Sequence, residues 1–498
     1  MNNKEKIGIV TDVIGNIGWL STFKIFSKLI GFISTIYLAR ILSKEGFGIY
    51  SYAFAFLSFF QAFTTEGFRI AGVQLIVPIK QKNDSSLLEL TSKVLFLRVA
   101  SGMIAYLTLF LFIVFTSKSD IQQRFLALIF LLLFICAFDS KWILQGLEKM
   151  KIIGISDFAR QCAFLILILF FIRGKEDLLI VPYMNISSEI LIIFIVFLYV
   201  WKFISGRSGP LKLANFLPNK QFVIDFLKHS VPIGLSFSII ILINNLGIII
   251  LDFFKGHEKV ASYTTVYKIT SSLNEFRSLI IFVMFPLFIK MWNGNKNFIR
   301  DIFRIGFLFN CVIIIPAAIS MMYFSRDIVV LLYSAKYSES AFLFSLLLID
   351  TVILWLNIFF PVFLNAAMNE RVYFKAHLFI LLISTALLFI FIPFFEARGV
   401  VYARIISDIF SLLFFSFYIH KKLAVNLKDI FFTPLLSLTL IVTSALIVLF
   451  WMQQKVHSIL YCLILLSVYY VLLIIFKIVK KHDITAISYI IKRQPYVE

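Results

Sequence analysis

The chain has 498 residues, of which 60% are hydrophobic and 15% charged, with a formal net charge of +20. Soluble domains hold about half apolar and about a quarter charged residues, so most of this chain is excluded from water, and no polar stretch is long enough to form a soluble catalytic domain. A balance of +20 could fit a nucleic acid, but the placement of the Lys and Arg residues accounts for it through membrane topology, and no nucleic-acid partner is expected.

A bilayer core of about 30 Å is crossed by about 20 helical residues. Apolar stretches of that length place fourteen spans, at 13–41, 47–68 with a continuation to 79, 94–116, 121–146, 152–172, 178–204, 229–254, 262–289, 302–325, 338–368, 372–394, 399–420, 430–452 and 457–479. The expected fold class is an all-α integral membrane protein of about 14 transmembrane helices, arranged as two pseudo-symmetric six-helix bundles plus two peripheral C-terminal helices. Lys4, Glu5 and Lys6 precede a first span too long for a signal-peptide core and lacking a small-residue cleavage site, so it reads as a retained anchor.

Charge gives an independent test of this topology. With both termini cytoplasmic, the inner segments hold 28 of the 47 Lys and Arg residues, Arg69 and Lys141 among them, and the outer loops hold 11. Every inner segment carries at least two, as the positive-inside rule requires. The remaining eight, Lys24, Lys28, Arg40, Arg98, Arg160, Lys268, Arg277 and Arg404, fall inside spans or at their rims.

The longest polar interruption within the first twelve spans is 205–227, with Gly206, Gly209, Pro210 and Pro218. It divides the chain into an N-terminal six-helix lobe at 1–204, a cytoplasmic linker at 205–227 and a C-terminal six-helix lobe at 228–420. Two additional helices and a basic cytoplasmic tail follow at 421–498. Phe47-Gly48-Ile49-Tyr50-Ser51 entering the second span resembles Val260-Ala261-Ser262-Tyr263-Thr264 entering the eighth, and Gln145-Gly146 before Lys151 resembles Asn365-Ala366 before Arg371. Similar offsets between these pairs fit parallel repeats. The four cysteines are isolated in apolar runs, and the six histidines, His257 among them, show no metal-ligand spacing. No metal and no cofactor are expected.

Polar residues recur in stripes. Ser21, Lys24, Lys28, Gly31 and Thr35 share one face of the first span, and Thr264, Lys268, Ser271, Glu275 and Ser278 share one face of the eighth. A lysine at mid-bilayer costs about 2.5–3.5 kcal/mol on the lenient insertion scale, so these faces point at protein, water or an anionic ligand. Pairing with carboxylates is one outcome. Asp139, Asp157, Glu189, Asp252, Glu275, Asp350 and Asp408 are available, and Asp157–Arg160 and Glu66–Arg69 are spaced to pair within one helix. The other outcome is a hydrated anion site, because ammonium groups bind phosphate as point charges. Ser238, Asn245 and Asp252 in the seventh span, and Asp350, Asn357, Pro361 and Asn365 in the tenth, read either as a cavity wall suited to sugar hydroxyls or as interhelical hydrogen bonding.

Several motifs carry a family resemblance. Lys28-Leu29-Ile30-Gly31-Phe32, followed by Tyr37-Leu38-Ala39-Arg40-Ile41-Leu42-Ser43-Lys44-Glu45-Gly46-Phe47-Gly48-Ile49-Tyr50, resembles the N-terminal signature of Wzx-type O-antigen and polysaccharide flippases. These belong to the multidrug/oligosaccharidyl-lipid/polysaccharide exporter superfamily. Trp142-Ile143-Leu144-Gln145-Gly146-Leu147-Glu148-Lys149-Met150 is similar to that family's motif after the fourth helix. Pro232-Ile233-Gly234-Leu235-Ser236, Tyr263-Thr264-Thr265-Val266-Tyr267-Lys268-Ile269 and, more loosely, Gly399-Val400-Val401-Tyr402-Ala403 match its second half.

The resemblance implies an inner-membrane protein with both termini cytoplasmic. It implies transport of undecaprenyl-diphosphate-linked oligosaccharide from the cytoplasmic to the outer leaflet by alternating access, with membrane lipids and a polysaccharide polymerase as further partners. Lipid II flippase relatives hold the diphosphate with basic residues of the first, second and eighth helices. That role falls here on Lys24, Lys28, Arg69 and Lys268, then Arg277, with Asn245 and Asn357 at the sugars. Asp139, Glu275 and Asp350 are the ion-coupling candidates. The alternatives are a drug/cation antiporter of the same superfamily, which would present carboxylates to its cavity, a membrane glycan polymerase or glycosyltransferase, and a scaffold without transport. No nucleophile–base set or phosphate-binding glycine loop is present, so no catalytic residue is assigned and the chain is not expected to be an enzyme.

Overall fold

A computed structural model describes residues 3–78, 84–115, 119–205, 217–291, 310–366 and 370–423, with single positions at 303, 306, 467 and 471. Helices and short turns are the regular structure among them. The principal elements are α1 (Asn3–Ile41), α2 (Lys44–Gln61), α3 (Gly67–Ile76), α4 (Asp84–Phe115), α5 (Asp120–Ile135), α6 (Lys141–Gly146), α7 (Met150–Phe171), α8 (Ile180–Ser205), α9 (Lys220–Lys255) and α10 (His257–Met291). They continue with α11 (Ile315–Tyr323), α12 (Ser325–Tyr333), α13 (Ala341–Leu356), α14 (Phe359–Ala366) and α15 (Glu370–Leu423).

Nine helical stretches among the described residues are long and apolar enough to cross a membrane, or ten when the bent pair α11–α12 counts as one span. Helical structure occurs at each of the first twelve predicted spans. The two at 430–452 and 457–479, apart from single positions at 467 and 471, and residues 206–216 of the linker lie outside the described residues. Helix α10, 35 residues long, carries Lys268, Glu275 and Arg277.

The helix α15 covers 54 residues. At about 1.5 Å per residue a straight helix of that length would run about 80 Å, far beyond any bilayer core. It turns back on itself at Glu396 (φ 53, ψ −131), three residues after Pro393. Phe379 meets Phe410 at 5.6 Å and His377 meets Phe415 at 5.7 Å, so the two arms run antiparallel. The predicted spans 372–394 and 399–420 are those two arms.

The chain divides into two compact units, Met1–Thr265 and Val266–Glu498. In the first, α1 packs along α7, and α9 packs on α2 and α3. Side-chain oxygens of Ser43, Ser119 and Asn219 accept the first backbone N–H groups of α2, α5 and α9, as N-caps do. The Trp142–Gly146 motif is the short helix α6. Trp142 is 1% exposed and lies where a side chain at Gly72 would be, and Gly146 takes Ile76 in the same way. The motif therefore serves as a close joint between α6 and α3.

The second unit is built on stacked aromatic rings, with Phe288, Phe303, Phe359, Phe360 and Phe363 in one cluster. Helices α11 and α12 meet at a 73° bend. The chain leaves α12 through Ser334 (φ 76, ψ 168), a conformation that only glycine adopts without strain. Ser334→Gly is expected to stabilise the protein by about 1 kcal/mol and Ser334→Ala is not, as thermal unfolding of the purified protein in detergent would show.

Candidate functional site

The interior of the first unit is organised by a broken span. Apolar sequence runs unbroken through 125–135, yet α5 stops at Ile135, tightens into a 3-10 turn at Cys136–Phe138 and restarts as α6 at Lys141. Such a break frees backbone carbonyls that lipid cannot satisfy. Arg98 is 2% exposed. It donates to the carbonyls of Asp139 (3.0 Å) and Cys136 (3.3 Å), which places its charge at the carbonyl end of a helix.

The break presents Asp139 and Lys141 to α7. The Lys141 amide donates to Asp139 Oδ1 (3.0 Å), and the Lys141 ammonium lies 2.8 Å from Asp157 Oδ1 and 3.6 Å from Asp139 Oδ2. Arg160 reaches Glu189 on α8 at 3.5 Å. Ser27 of α1 donates to the Asp157 carbonyl at 3.0 Å, tying α1 to the same place.

Two expectations are corrected here. Lys141 is not an inner-loop charge but a half-buried member of an apolar span. Asp157 and Arg160 do not pair with one another, because α6 and α8 bring each an oppositely charged partner. Asp139, expected as an ion-coupling group, sits in this network beside Lys141.

Arg69 follows a π-helical turn, Ala62–Glu66, whose extra residue rotates α3 relative to α2. Its guanidinium donates to Glu66 Oε2 at 2.5 and 3.0 Å and to Gln145 Oε1 at 2.5 Å. The Glu66–Arg69 spacing thus does form an ion pair. Lys24 and Lys28 on α1 are exposed, whereas Thr35, from the same stripe, is buried and donates to the Gly31 carbonyl at 2.9 Å.

The stripe on α9 is not an open wall. Ser238 and Asp252 are buried within the first unit, and Asn245 is half-buried and donates to the carbonyl of Ile241 on its own helix (2.9 Å). Periodicity puts these three on one face, but that face packs rather than opens.

In the second unit Lys268 is exposed on α10, and its carbonyl accepts from Ser271 (3.1 Å) and Ser272 (2.8 Å). Glu275 lies two turns further along. Arg277 donates to the carbonyl of Leu354 at 3.3 Å. Arg404 Nε donates to Asp350 Oδ2 at 3.1 Å, with the guanidinium 5.0 Å from the Tyr267 ring centre. Asp408, one turn beyond Arg404, completes a cluster with Arg277 and Asp350. Asn357 is buried and donates to Ser411 Oγ at 2.8 Å, joining α13 to the second arm of α15. The side chains of Ser21, Ser278 and Asn365 lie outside the described residues.

The intramembrane cations therefore fall into two sets. Arg69, Arg160, Lys141 and Arg404 are ion-paired, and the buried Arg98 and the half-buried Arg277 donate to carbonyl oxygens. Lys24, Lys28, Arg40 and Lys268 are exposed. Sequence periodicity singles out the three lysines of the second set. It misses Lys141, Glu189 and Gln145 as polar centres, and the one available signal is the placing of charged or amide groups inside apolar stretches.

The profile of the polysaccharide biosynthesis protein family matches residues 13–292, more than half of the chain. No curated protein sequence matches it. Among solved structures, the lipid II flippase MurJ in an inward closed conformation is similar at TM-score 0.65 and 16% identity, covering 92% of this chain and 98% of that one. An inward-facing multidrug resistance MATE family transporter of the same exporter superfamily is similar at TM-score 0.63 and 14% identity, covering 80% and 94%. An outward-facing one reaches 0.56 at 15% identity, covering 82% and 95%. The chain belongs to the polysaccharide biosynthesis protein family and is a multi-pass, all-helical membrane protein with the fold of the multidrug/oligosaccharidyl-lipid/polysaccharide transporters.

Proposed function

We propose that the protein flips a polyprenyl-diphosphate-linked oligosaccharide, of the kind used to build O-antigen or a related surface polysaccharide, from the cytoplasmic to the outer leaflet of the inner membrane. The observation that carries this reading is the exposure of Lys28 and Lys268 within the long helices α1 and α10. At about 1.5 Å per residue, Lys28 lies about 20 Å along α1 from its end at Ile41, and Lys268 lies about 16 Å into α10. An exposed ammonium at such depth is cheap only in water or against an anion. A diphosphate supplies that anion, and the polyprenyl tail remains in hydrocarbon, so only the polar head needs a path.

Lys24, Lys28 and Lys268 would supply the cations for the diphosphate, with Arg69 and Arg277 in support, and Asn245 and Asn357, packed in the state described above, would serve the sugars only once their faces open. Rocking of lobes 1–204 and 228–420 would then expose the head group alternately to each leaflet. Asp139, Glu275 and Asp350 remain the coupling candidates. An incoming cation at Asp139 or Asp350 has to compete with Lys141 or Arg404, so coupling there would act by loosening an ion pair. A drug/cation antiporter would offer carboxylates in place of lysines, and here Asp139, Asp157, Glu189 and Asp350 are engaged by cations.

Reconstituted in vesicles with a lipid-diphosphate-linked oligosaccharide, Lys28→Ala and Lys268→Ala are each expected to lower the flipping rate at least tenfold, the loss of about 1.4 kcal/mol that one charge-assisted contact provides. Lys→Arg at either position should restore much of it. Unchanged flipping in both alanine variants would return these lysines to structural roles, and no flipping of several glycans by the unaltered protein would remove the reading.

A further inference from the structure

The seam between α1 and α7 has two flanks of different character. At about 100° per residue, Phe23 and Ser27 point from α1 at α7, where Phe23 meets Phe158 at 5.9 Å and Ser27 donates to the Asp157 carbonyl. Trp19, Phe26, Leu29 and Ile33 lie to one side of that line, each about half exposed, and form an apolar face suited to lipid. Lys24, Lys28 and Gly31 lie to the other side. Gln161 of α7 reaches onto this second flank. Its Cδ, Oε1 and Nε2 each stand 3.5 Å from where a Cβ on Gly31 would be, so the amide lies flat over the glycine.

The polar side chains around Gln161 are engaged by the protein. Ser156 donates to the Ile153 carbonyl at 2.8 Å, Asp157 holds Lys141, Arg160 holds Glu189, and on α1 Thr35 donates to the Gly31 carbonyl. Gln161 is half-buried, and its amide makes no hydrogen bond among the described residues. A primary amide offers two donors and two acceptor sites, and taking one out of water without a partner costs about 1–3 kcal/mol. A hydrocarbon tail cannot meet that requirement, and an ionised diphosphate accepts but does not donate. A sugar hydroxyl or acetamide does both. The position also fits. Gly31 is three residues beyond Lys28, about 4.5 Å along α1, and the first sugar is the group bonded next to the diphosphate. Helical side chains lean toward the start of their helix, so the Lys28 ammonium points away from the amide, and the two can hold neighbouring parts of one head group.

We propose that Gln161 reads the first sugar of the carried lipid. With Lys28 on the diphosphate, its amide bonds a hydroxyl or acetamide of the sugar joined directly to that diphosphate, and so sets which glycans are accepted. The proposal rests on the transport reading for the diphosphate at Lys28, and it adds the residue by which the site discriminates among sugars. Asn245 and Asn357 spend their amide N–H groups within the protein, whereas Gln161 needs no rearrangement to bond a sugar.

The test is equilibrium binding of three lipid probes to the full chain in lipid nanodiscs. The probes are farnesyl diphosphate and the same lipid diphosphate carrying one N-acetylglucosamine or one galactose. The unaltered protein is expected to hold at least one glycosylated probe about tenfold more tightly than the bare one, the worth of one or two hydrogen bonds. Gln161→Met, which keeps the length of the side chain and removes the amide, is expected to abolish that difference without changing the affinity for the bare probe. Lys28→Ala is expected to weaken all three alike. Gln161→Asn, which keeps the amide and shortens its reach, is expected to narrow the difference, and it serves should Gln161→Met fail to fold. A difference surviving in Gln161→Met, or an equal loss for the bare probe, overturns the sugar contact. An unaltered protein that holds all three probes alike also overturns it and leaves the transport reading standing, because the diphosphate is still bound. Binding of no probe removes the transport reading and this contact with it. A selective loss in Gln161→Met beside an unaffected Lys28→Ala keeps the contact and removes that lysine from the diphosphate.

Discussion

Asp350→Ala is expected to destabilise the second unit by about 3–5 kcal/mol, because it leaves the Arg404 guanidinium buried without its carboxylate. The Asp350 side chain is 2% exposed and that of Arg404 13%, so water cannot take over the role. Arg277 adds a second cation to the same cluster, and after the substitution Asp408 alone would face both. Arg404→Ala should cost a similar amount for the opposite reason, leaving Asp350 beside Asp408. The double substitution Asp350→Leu with Arg404→Met is expected to recover most of the loss, since matched apolar side chains replace a buried pair at little cost. Arg277 and Asp408 would then still balance each other. Unfolding midpoints of the four proteins in one detergent decide this, and losses that simply add would show that the two groups do not act as a pair.

The second large effect concerns glycines at helix contacts, where the expected order is Gly48→Ala worst, Gly72→Ala next and Gly31→Ala harmless. At position 48 a Cβ would lie 1.9 Å from the backbone oxygen of His257, which cannot move without displacing the start of α10. At position 72 it would lie 2.7 Å from the ring of Trp142, a buried side chain with little room to turn. Overpacking of this kind costs about 1–3 kcal/mol and more where backbone must shift. At position 31 the nearest atoms are those of Gln161 at 3.5 Å, an ordinary contact. There the gain of about 1 kcal/mol from replacing a helical glycine should prevail. Folded yield and thermal midpoint measured across the three variants check the order. A destabilised Gly31→Ala beside a normal Gly48→Ala would mean that the contact of α2 with the α9–α10 corner is looser than it stands here.

What could be read from the sequence follows from what apolar length and periodicity encode. The first twelve spans were legible as helical stretches because lipid demands uninterrupted runs, and the turn of α15 was legible as the gap at 394–399. The exposure of Lys24, Lys28 and Lys268 was legible because none of them has a carboxylate at three or four residues' spacing on its own helix. The break after Ile135 was hidden. The residues through it are apolar, and the group that satisfies its carbonyls, Arg98, is 38 and 41 residues away. Spacing rules see one helix at a time, which is why they match Asp157 to Arg160 when the partners come from α6 and α8. Periodicity likewise identifies a polar face without saying whether protein or water covers it, and on α9 the cover is protein.

The separation of cations into a set that joins helices and an exposed set also bears on how such a chain changes over evolutionary time. Arg69, Arg98, Arg160, Arg277, Arg404 and Lys141 hold helices together, so a substitution among them is a folding problem before it is a functional one. The exposed lysines stand outside those buried pairs. Under the proposed transport of a diphosphate head group, their number, position and reach could drift with that head group, and a new cargo could be acquired by exchanging a few surface charges on α1 and α10 while the framework is inherited intact.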